Sequence, residues 1–459
     1  MQPEQAEHGV LRGSTGPSNG GRTPADERLE RDETVGKAWF WGDRAMKSPR
    51  ILLIGYNGAN NTGAEALLQA DIQDLRAVFG EDALLTVPAL KDPANLRRYL
   101  HEGPNLRIVR MPSVFPATTR RLVREHDLVA LVEGSAYMDT WTSALLWYFL
   151  WATRCAHQEG KPCLAYAVDA GQLRPRNQRL VRRWASTTDL IVTRSEAAAG
   201  RLREWGVTAP VEWTADNAFV FDPRPEDRDW AHGVWPEAEG PPVGIAAVDF
   251  HRWPVVIRPW GRSQDRYRWP YYFSTSPARR RASADLARGY ARLADRVVER
   301  HDRSVALICM EELDEPIAQA IHHAMVNPGR ARVFSSRQLD ASRMTALLRS
   351  LGVLVTSRYH ASVLSLAAAV PQVAVHRDLR LRTLYTELGL DHDYFLPPND
   401  PDVFERIAEA VDKLLPDPVE VRERLRAGND AHVASARRNR ELLQSFAVEH
   451  GWGVMAWAA

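Results

Sequence analysis

The chain has 459 residues, 45% hydrophobic and 25% charged, a composition typical of a soluble globular protein with room for two domains. Its 59 basic and 58 acidic residues give a net charge of +1, so bulk charge makes no case for nucleic acid or an anionic membrane as a partner. The three cysteines, Cys155, Cys163 and Cys309, lack disulfide-framework and zinc-site spacing, which predicts reduced, mostly buried thiols in a cytoplasmic protein.

Residues 1–49 are polar and rich in glycine and proline, and we expect a disordered N-terminal tail. They contain no apolar core of a signal peptide, and the longest apolar run elsewhere, 144–152, is too short to span a bilayer. We therefore predict a cytoplasmic protein. If it serves the cell surface, it does so from the inner face of the membrane.

Strand and helix patterns alternate along residues 50–222. The run "RILLIGY" has the continuous apolar character of a strand buried on both faces, and "AEALLQADIQDLRAVFG" follows at helical spacing. Further strand patterns are "ALLTVPA", "LRIVRMP", "HDLVALVEG", "PCLAYAVDA" and "TDLIVTRS". This order predicts a Rossmann-like, doubly wound domain with helices on both faces of a parallel sheet.

A turn-rich stretch, residues 223–241, interrupts the alternation and predicts a linker. A second Rossmann-like domain is expected over 242–425, with strands in "VGIAAVDF", "SVALICMEE", "RVFSS", "LGVLVTSR" and "PQVAVHRD". In the C-terminal segment, 426–459, a helix over about 429–450 is expected to cross back onto the first domain. Two doubly wound α/β domains facing a cleft describe a GT-B-like architecture, in which ligands bind beyond the carboxyl ends of the strands.

The turn "GYNGANNTGAE" follows the first strand. Glycine allows positive φ and lets a ligand approach the backbone, so we predict that Asn61 and Gly63 contact a substrate. Thr62 is expected to cap the next helix, with Glu65 as the reciprocal partner of a capping box. The helix start would then present free N–H groups to an anion, and a tight turn without a ligand is the alternative.

A second polar turn, "EGSAYMDTWTS", follows a later strand. Gly134 and Ser135 suit a close approach of the backbone, while Asp139 and Ser143 crowd polar groups at the next helix start. Asp139 is therefore a candidate general base or only a helix cap. Arg194, at a strand end in "VTRSE", is a candidate substrate ligand or one half of an exposed salt bridge.

The segment "LGVLVTSRYHASVLSLAAAV" carries Arg358 and His360 at the end of a buried strand. Burying an arginine is costly unless an anion or a carboxylate pairs with it. In an extended segment both side chains point the same way, and they suit a phosphate or carboxylate and a proton transfer respectively. A structural hydrogen-bond node is the alternative.

These segments, in this order, resemble the polysaccharide pyruvyl transferase family over roughly residues 50–395. The family's opening turn, G-Y-x-G-x-x-N-x-G-D-E-A, is "GYNGANNTGAEA" here, its segment D-hydrophobic-GGG is "DLVALVEGSAYMDTWTS", and its signature R-L-H-A is "RYHA". Looser matches are "VDAGQLRP", "TRSEAAAGRLREWGV", the pair at 215–216, and "RDLR" at 377–380. The chain departs from the family pattern at Ala64, Val132, Glu133 and Ser195.

The resemblance implies a GT-B-like enzyme that takes phosphoenolpyruvate as its donor substrate, uses no other cofactor and places a pyruvate ketal across two sugar hydroxyls. It would put Arg358, His360 and Arg380 at the donor site, with His360 as acid and Asp139 or Glu133 as base. The acceptor would be a sugar, a nucleotide sugar or a lipid-linked glycan of the cell envelope. We expect no metal, because no cluster has metal-ligand spacing.

Residues 251–281 have no clear counterpart in that resemblance and hold eight arginines, seven aromatic residues and one acid. They follow the first strand of the second domain, so they should overhang the cleft, where Arg258 would contact a phosphorylated acceptor. Contact with a membrane surface or nucleic acid is the second interpretation of this loop, and a solvated insertion is the third. For the whole chain we expect no nucleic acid, while a peripheral membrane contact and a homo-oligomer stay open.

Two other functions are compatible with the sequence. A GT-B glycosyltransferase would use a nucleotide sugar, with Glu387 as the candidate for reading the nucleoside, and a catalytically lapsed binding protein is favoured by Ala64 and Glu133. The predicted site comprises His360, Arg358 and Asp139 as catalytic groups, and Arg380, Arg194, Asn61, Gly63, Glu65, Gly134, Ser135, Ser143 and Arg258 as substrate ligands.

Overall fold

The computed structural model describes residues 48–375, 379–416 and 418–453, so nearly all of the expected N-terminal tail lies outside the described residues. A parallel sheet of seven strands has the order β3-β2-β1-β4-β5-β6-β7. Its strands are β1 (Arg50–Ile54), β2 (Leu84–Ala89), β3 (Leu106–Arg110), β4 (Leu128–Leu131), β5 (Cys163–Val168), β6 (Leu190–Thr193) and β7 (Val211–Trp213). The connecting helices are α1 (Thr62–Phe79), α2 (Pro93–Leu96), α3 (Pro116–Glu125), α4 (Ser143–Gln158), α5 (Pro175–Ala185) and α6 (Glu196–Glu204).

A second parallel sheet has six strands in the order β13-β12-β8-β14-β15-β16. The strands are β8 (Val243–Ala246), β12 (Val305–Cys309), β13 (Ala331–Ser335), β14 (Val353–Thr356), β15 (Gln372–Val375) and β16 (Phe395–Leu396). Around it lie α7 (Trp230–Val234), α8 (Pro277–His301), α9 (Glu315–Ala324), α10 (Ala341–Arg349), α11 (Tyr359–Ser365), α12 (Leu379–Glu387), α13 (Asp391–Tyr394) and α14 (Val403–Leu414). The two doubly wound sheets predicted from the sequence are confirmed, whereas the proposed domain boundaries stay a prediction.

The central strands carry uninterrupted apolar runs because helices cover both faces of each sheet. Residues 51–54 of β1, 128–131 of β4 and 353–355 of β14 are fully buried. The apolar spacing of α14 predicts one buried face with Phe404, Ile407, Val411 and Leu414, and the last three are buried while Phe404 is partly buried. Three clusters of buried apolar residues result, one on each face of the first sheet and one around the second sheet.

The C-terminal helix α15 (Val419–Glu449) is longer than predicted, since it begins ten residues before position 429. It crosses back onto the first sheet, as expected. Leu443 and Phe446 are buried in the cluster that contains Ile51 of β1. Its Arg440 donates a 2.8 Å hydrogen bond to Asp74 of α1, so the end of the chain is fixed to the first sheet.

The Arg- and aromatic-rich segment 251–281 is ordered into a small antiparallel sheet, which the sequence did not predict. Its strands, in the order β10-β11-β9, are β9 (Val255–Ile257), β10 (Arg266–Arg268) and β11 (Tyr271–Phe273). The segment reaches the first large sheet, because Val255 N donates to Trp141 O at 2.8 Å and Tyr271 Oη donates to Ser113 O at 2.8 Å. It therefore closes one side of the space between the two large sheets.

Strand order reverses direction between β1 and β4 in the first large sheet and between β8 and β14 in the second. At such switch points the connections leave to opposite faces and open a crevice beyond the carboxyl ends of the strands. Both crevices contribute to one cleft.

The three cysteines are buried and free, as predicted, and burial raises the pKa of Cys163 to about 12.

Candidate active site between the two sheets

A cleft of about 420 Å³ lies where the two switch points face each other. Its walls come from the segments that follow β1, β4, β5, β8, β12 and β14, and from the start of α12. Seven residues to which the sequence assigned a substrate contact or a catalytic role line it: Asn61, Gly63, Glu133, Ser135, Arg358, His360 and Arg380. The rule that ligands bind at strand ends therefore located this cleft from the sequence.

The turn after β1 lets the two halves of the cleft meet. Gly63 stands against the ring of His360, and a Cβ at position 63 would overlap the imidazole. Thr62 N donates a 2.8 Å hydrogen bond to Met310 O, at the end of β12. A glycine is thus required here by the approach of the second sheet, in addition to any ligand.

The predicted capping box at this turn is wrong. Asn61 is the N-cap of α1, and its side chain accepts a 3.0 Å hydrogen bond from Ala64 N. Glu65 turns away from the cap and accepts a 3.1 Å hydrogen bond from Ala341 N, at the start of α10. Burial raises the pKa of Glu65 to about 8, so it is a buried link between the sheets, and it is not among the described residues that line the cleft.

His360 stands over a buried row of charges. Its Nε2 lies 3.5 Å from Asp216 Oδ2, and Asp216 is completely buried. Arg194 bonds to the same carboxylate and donates through Nε to Asp169 Oδ2 at 2.8 Å. Burial would raise the pKa of Asp216, but the charges of Arg194 and His360 lower it below its ordinary value. The Asp216 carboxylate therefore lies against the imidazole of His360 on the side of the buried charges.

Arg358 is paired with carboxylates of the protein itself. Its Nε donates to Asp314 Oδ2 at 2.9 Å, and its Nη1 lies 3.3 Å from Glu311 Oε2. Burial raises the pKa of Asp314 to about 6, against the opposing charge of Arg358. The free-energy cost of burying this arginine is therefore offset by carboxylates of the same chain. Glu311 lines the cleft beside Arg358, so a ligand there would contact both side chains.

The turn after β4 contributes a second carboxylate. Glu133 accepts hydrogen bonds from Tyr56 N at 3.1 Å and from Ser135 Oγ at 2.9 Å. Gly134 is required sterically, because a Cβ there would overlap Arg194. Glu133 and Ser135 both line the cleft, which places a carboxylate and a hydroxyl on the wall opposite Arg358 and His360.

Asp139 and Ser143 are drawn away from the cleft. Asp139 Oδ2 accepts hydrogen bonds from Asn177 Nδ2 at 2.6 Å and from Arg174 N at 3.3 Å, and Asn177 also donates to Ser143 Oγ at 2.9 Å. Neither is among the described residues that line the cleft. Thr142, rather than Asp139, caps α4, so Asp139 instead holds the start of α5.

A family model described as polysaccharide pyruvyl transferase matches residues 61–378, more than half of the chain. The chain belongs to the polysaccharide pyruvyl transferase family. It is therefore a transferase. No relative was found among proteins with curated descriptions.

Three solved structures illustrate the similarity in fold. HepE of Anabaena, in complex with UDP and glucose, has a TM-score of 0.56 and 12% identity, covering 87% of this chain and 100% of that one. A putative UDP-N-acetylglucosamine 2-epimerase of Listeria monocytogenes has a TM-score of 0.56 and 12% identity, over 87% and 97%. The UDP-GlcNAc 2-epimerase of Neisseria meningitidis bound to UDP-GlcNAc has a TM-score of 0.53 and 9% identity, over 87% and 99%. At these identities the likeness shows the fold, which is GT-B-like.

Two predicted arginine ligands lie elsewhere in this pyruvyl transferase family member. Arg194 is buried beneath the cleft, where its guanidinium also lies 4.4 Å from the centre of the Tyr359 ring. Arg194 thus forms buried ion pairs with Asp169 and Asp216, whereas the alternative from the sequence was an exposed salt bridge. Arg258 stacks over the ring of Tyr272 at 4.8 Å in the small sheet, and it is not among the described cleft residues.

Several cleft residues were missed in the sequence. Glu311 was the least expected, although it follows the apolar run of β12 and so meets the strand-end rule. Three aromatic residues, Trp141, Phe250 and Trp253, also line the cleft and are called the aromatic wall; Trp253 belongs to the segment 251–281 that was predicted to overhang the cleft, whereas Trp141 and Phe250 were missed. Trp141 follows β4 of the first sheet, whereas Phe250 and Trp253 follow β8 of the second and pack edge to face at 5.1 Å.

The described residues contain no group of three or more His, Cys, Asp or Glu side chains placed to hold a metal ion. Within the same residues, every helix is too short or too polar to cross a membrane.

Proposed function

We propose that this enzyme transfers the pyruvate unit of phosphoenolpyruvate to two hydroxyls of a sugar or glycoconjugate, forming a ketal and releasing phosphate. Family membership supports the reaction class. The observation that carries the proposal is the meeting of His360, Arg358 and Arg380 in one cleft. Phosphoenolpyruvate has a phosphate and a carboxylate, both of which suit guanidinium groups.

His360 would act as the acid. Protonation of C3 by the imidazolium leaves a cation at C2, which a sugar hydroxyl attacks. The C–O bond to phosphate then breaks, phosphate leaves with its bonding electrons, and the second hydroxyl adds to C2. Of the two hydroxyl protons released, one restores the imidazolium and the other leaves with phosphate. The buried Asp216 carboxylate, 3.5 Å from Nε2, would hold the imidazole ring of His360 in place for this first step.

Each hydroxyl proton first needs an acceptor on the opposite wall, from which one proton passes to the imidazole and the other to the departing phosphate. Asp139 was predicted for this task, but its hydrogen bonds to the start of α5 favour other candidates. Glu133 and Glu311 both line the cleft, and Glu311 is already paired with Arg358. We therefore assign the base to Glu133, beside Ser135. The aromatic wall formed by Trp141, Phe250 and Trp253 would take the sugar ring.

Thermal unfolding with phosphoenolpyruvate tests the donor. At 100 times its dissociation constant, a ligand stabilises the folded state by about 2.7 kcal/mol. Arg380→Gln should remove most of this shift. Arg382→Gln is the matched control, because Arg382 lies two residues along α12, is exposed and stacks near Phe395, 5.3 Å from its ring centre. No shift in the wild type, or an equal loss in both variants, would contradict the assignment.

A nucleotide-sugar glycosyltransferase remains the second candidate, because similar folds have been solved with UDP. Its predicted nucleoside reader, Glu387, lies 3.5 Å from His432 Nε2 and is not among the described cleft residues. UDP-glucose belongs in the same titration, and stabilisation by it alone would favour this candidate. The third candidate, a catalytically lapsed binding protein, would bind phosphoenolpyruvate without releasing phosphate. In that case His360→Gln would affect only the binding of phosphoenolpyruvate, because the wild type has no turnover to lose.

A further inference from the structure

The small antiparallel sheet ends in an exposed apolar surface. Its outer end, residues 257–270, is called the tip. Within it Trp260 exposes 78% of its surface, Trp269 52% and Ile257 49%. The three lie together, since Arg258 N donates to Pro270 O at 2.9 Å and Trp269 Nε1 donates to Pro259 O at 3.2 Å. Clustered large apolar side chains in water are typical of an interaction site.

The tip is also positively charged. It contains four arginines and one aspartate, a net charge of +3, whereas the whole chain has a net charge of +1. Arg262 is half exposed although it pairs with Asp265 at 2.8 Å. Arg266 is exposed, and its side chain has no hydrogen-bond or carboxylate partner among the described residues. Arg262 and Arg266 therefore place positive charge on the exposed surface of the tip.

We propose that the tip binds the surface of an anionic lipid bilayer. Trp260 and Trp269 would enter the headgroup region, where indole rings are enriched because one part of the ring is apolar and one edge donates a hydrogen bond. Arg262 and Arg266 would face lipid phosphates, and each arginine near an anionic surface strengthens binding about fivefold. Exposed Ile257 favours lipid over nucleic acid, because an aliphatic side chain offers no ring on which a base stacks.

The tip is rigidly joined to the rest of the chain. Arg268 donates to Met111 O at 2.8 Å, and Tyr271 Oη donates to Ser113 O at 2.8 Å. Trp253, two residues before β9, lines the cleft. Binding through the tip would therefore bring the cleft close to the membrane surface. This inference stands on the exposed tip and does not depend on the identity of the donor.

Vesicle sedimentation of the full chain tests the inference. Phosphatidylcholine vesicles with about 30% phosphatidylglycerol should bind the protein, and pure phosphatidylcholine vesicles should not. Raising the salt to about 0.5 M should weaken the binding, because it screens the attraction. Trp260→Ser with Trp269→Ser, and separately Arg262→Gln with Arg266→Gln, should each reduce the binding constant by about tenfold or more.

Matched controls remove the same groups elsewhere. Trp213→Ser removes a tryptophan that is 41% exposed on β7, and Arg437→Gln with Arg438→Gln removes two exposed charges from α15. Both should bind vesicles like the wild type. Absence of wild-type binding, equal binding to both vesicle types, or equal losses in the controls would overturn the inference. So would tip-dependent binding of a single-stranded oligonucleotide without vesicle binding.

Discussion

The backbone of Gly63 lies directly against the imidazole of His360, so α1, which follows the first strand of one sheet, packs against the proposed acid, which follows a strand of the other sheet. This contact ties the position of the proposed acid to a residue that is 297 positions earlier in the chain. Gly63→Ala should therefore displace the imidazole while leaving the backbone free to stay helical. We expect kcat/KM to fall about tenfold or more, and the free energy of unfolding to fall by about 1–3 kcal/mol because the added methyl group overlaps the ring.

The matched control is Gly200→Ala in α6. A Cβ there meets no atom within 4 Å, and alanine should raise the free energy of unfolding by about 0.5–1 kcal/mol with activity unchanged. Wild-type activity in Gly63→Ala would contradict the placement of His360.

Glu65 should make stability fall as pH rises. Burial raises its pKa from 4.5 to about 8, so between these values the folded state binds more protons than the unfolded state. The wild type should lose on the order of 2–4 kcal/mol of unfolding free energy, relative to Glu65→Gln, between pH 4.5 and 8. Urea unfolding at several pH values measures this difference. The control is Glu196→Gln, which changes an exposed first-turn residue of α6. Its free energy of unfolding should differ from that of the wild type by the same amount at every pH.

Arg194 should be needed for folding as well as for placing Asp216. Arg194→Lys cannot reach both Asp169 and Asp216 in the same geometry, so a buried carboxylate loses its partner. We expect a loss of about 3 kcal/mol in chemical denaturation. Arg228→Lys, in an exposed pair with Asp222, should change stability by less than about 0.5 kcal/mol. Similar losses of stability in both variants would mean that the buried pairs of Arg194 contribute no more to the free energy of unfolding than an exposed ion pair does.

Kinetic measurements on variants should distinguish the two candidate bases, Glu133 and Asp139. Glu133→Gln removes a cleft carboxylate, and we expect turnover to fall about a hundredfold. Asp139→Asn should keep turnover within about threefold while costing about 1–2 kcal/mol of stability, because it weakens the bonds to Asn177 and Arg174. Initial rates of phosphate release, paired with thermal unfolding, give both quantities. The reverse pattern would restore Asp139 as the base.

The sequence by itself determined the alternation of strands and helices and the ends of the strands at which the cleft lies. Continuous apolar runs mark strands buried on both faces, and the glycine-rich turn after β1 marks a close approach of the backbone. These are local signals, read over about ten residues. They were enough to predict Arg358 and His360 at one site, while the family resemblance added Arg380.

Only the tertiary structure decided which charges pair. Glu65 reaches Ala341, Arg358 takes Asp314, and Arg194 lies buried on Asp169 instead of exposed. The small sheet over 255–273 also depends on packing, because each of its strands has only three residues. Such pairings join segments that are tens to hundreds of residues apart. A side chain's partner is fixed by how the two sheets meet, and no local pattern of residues encodes that distance.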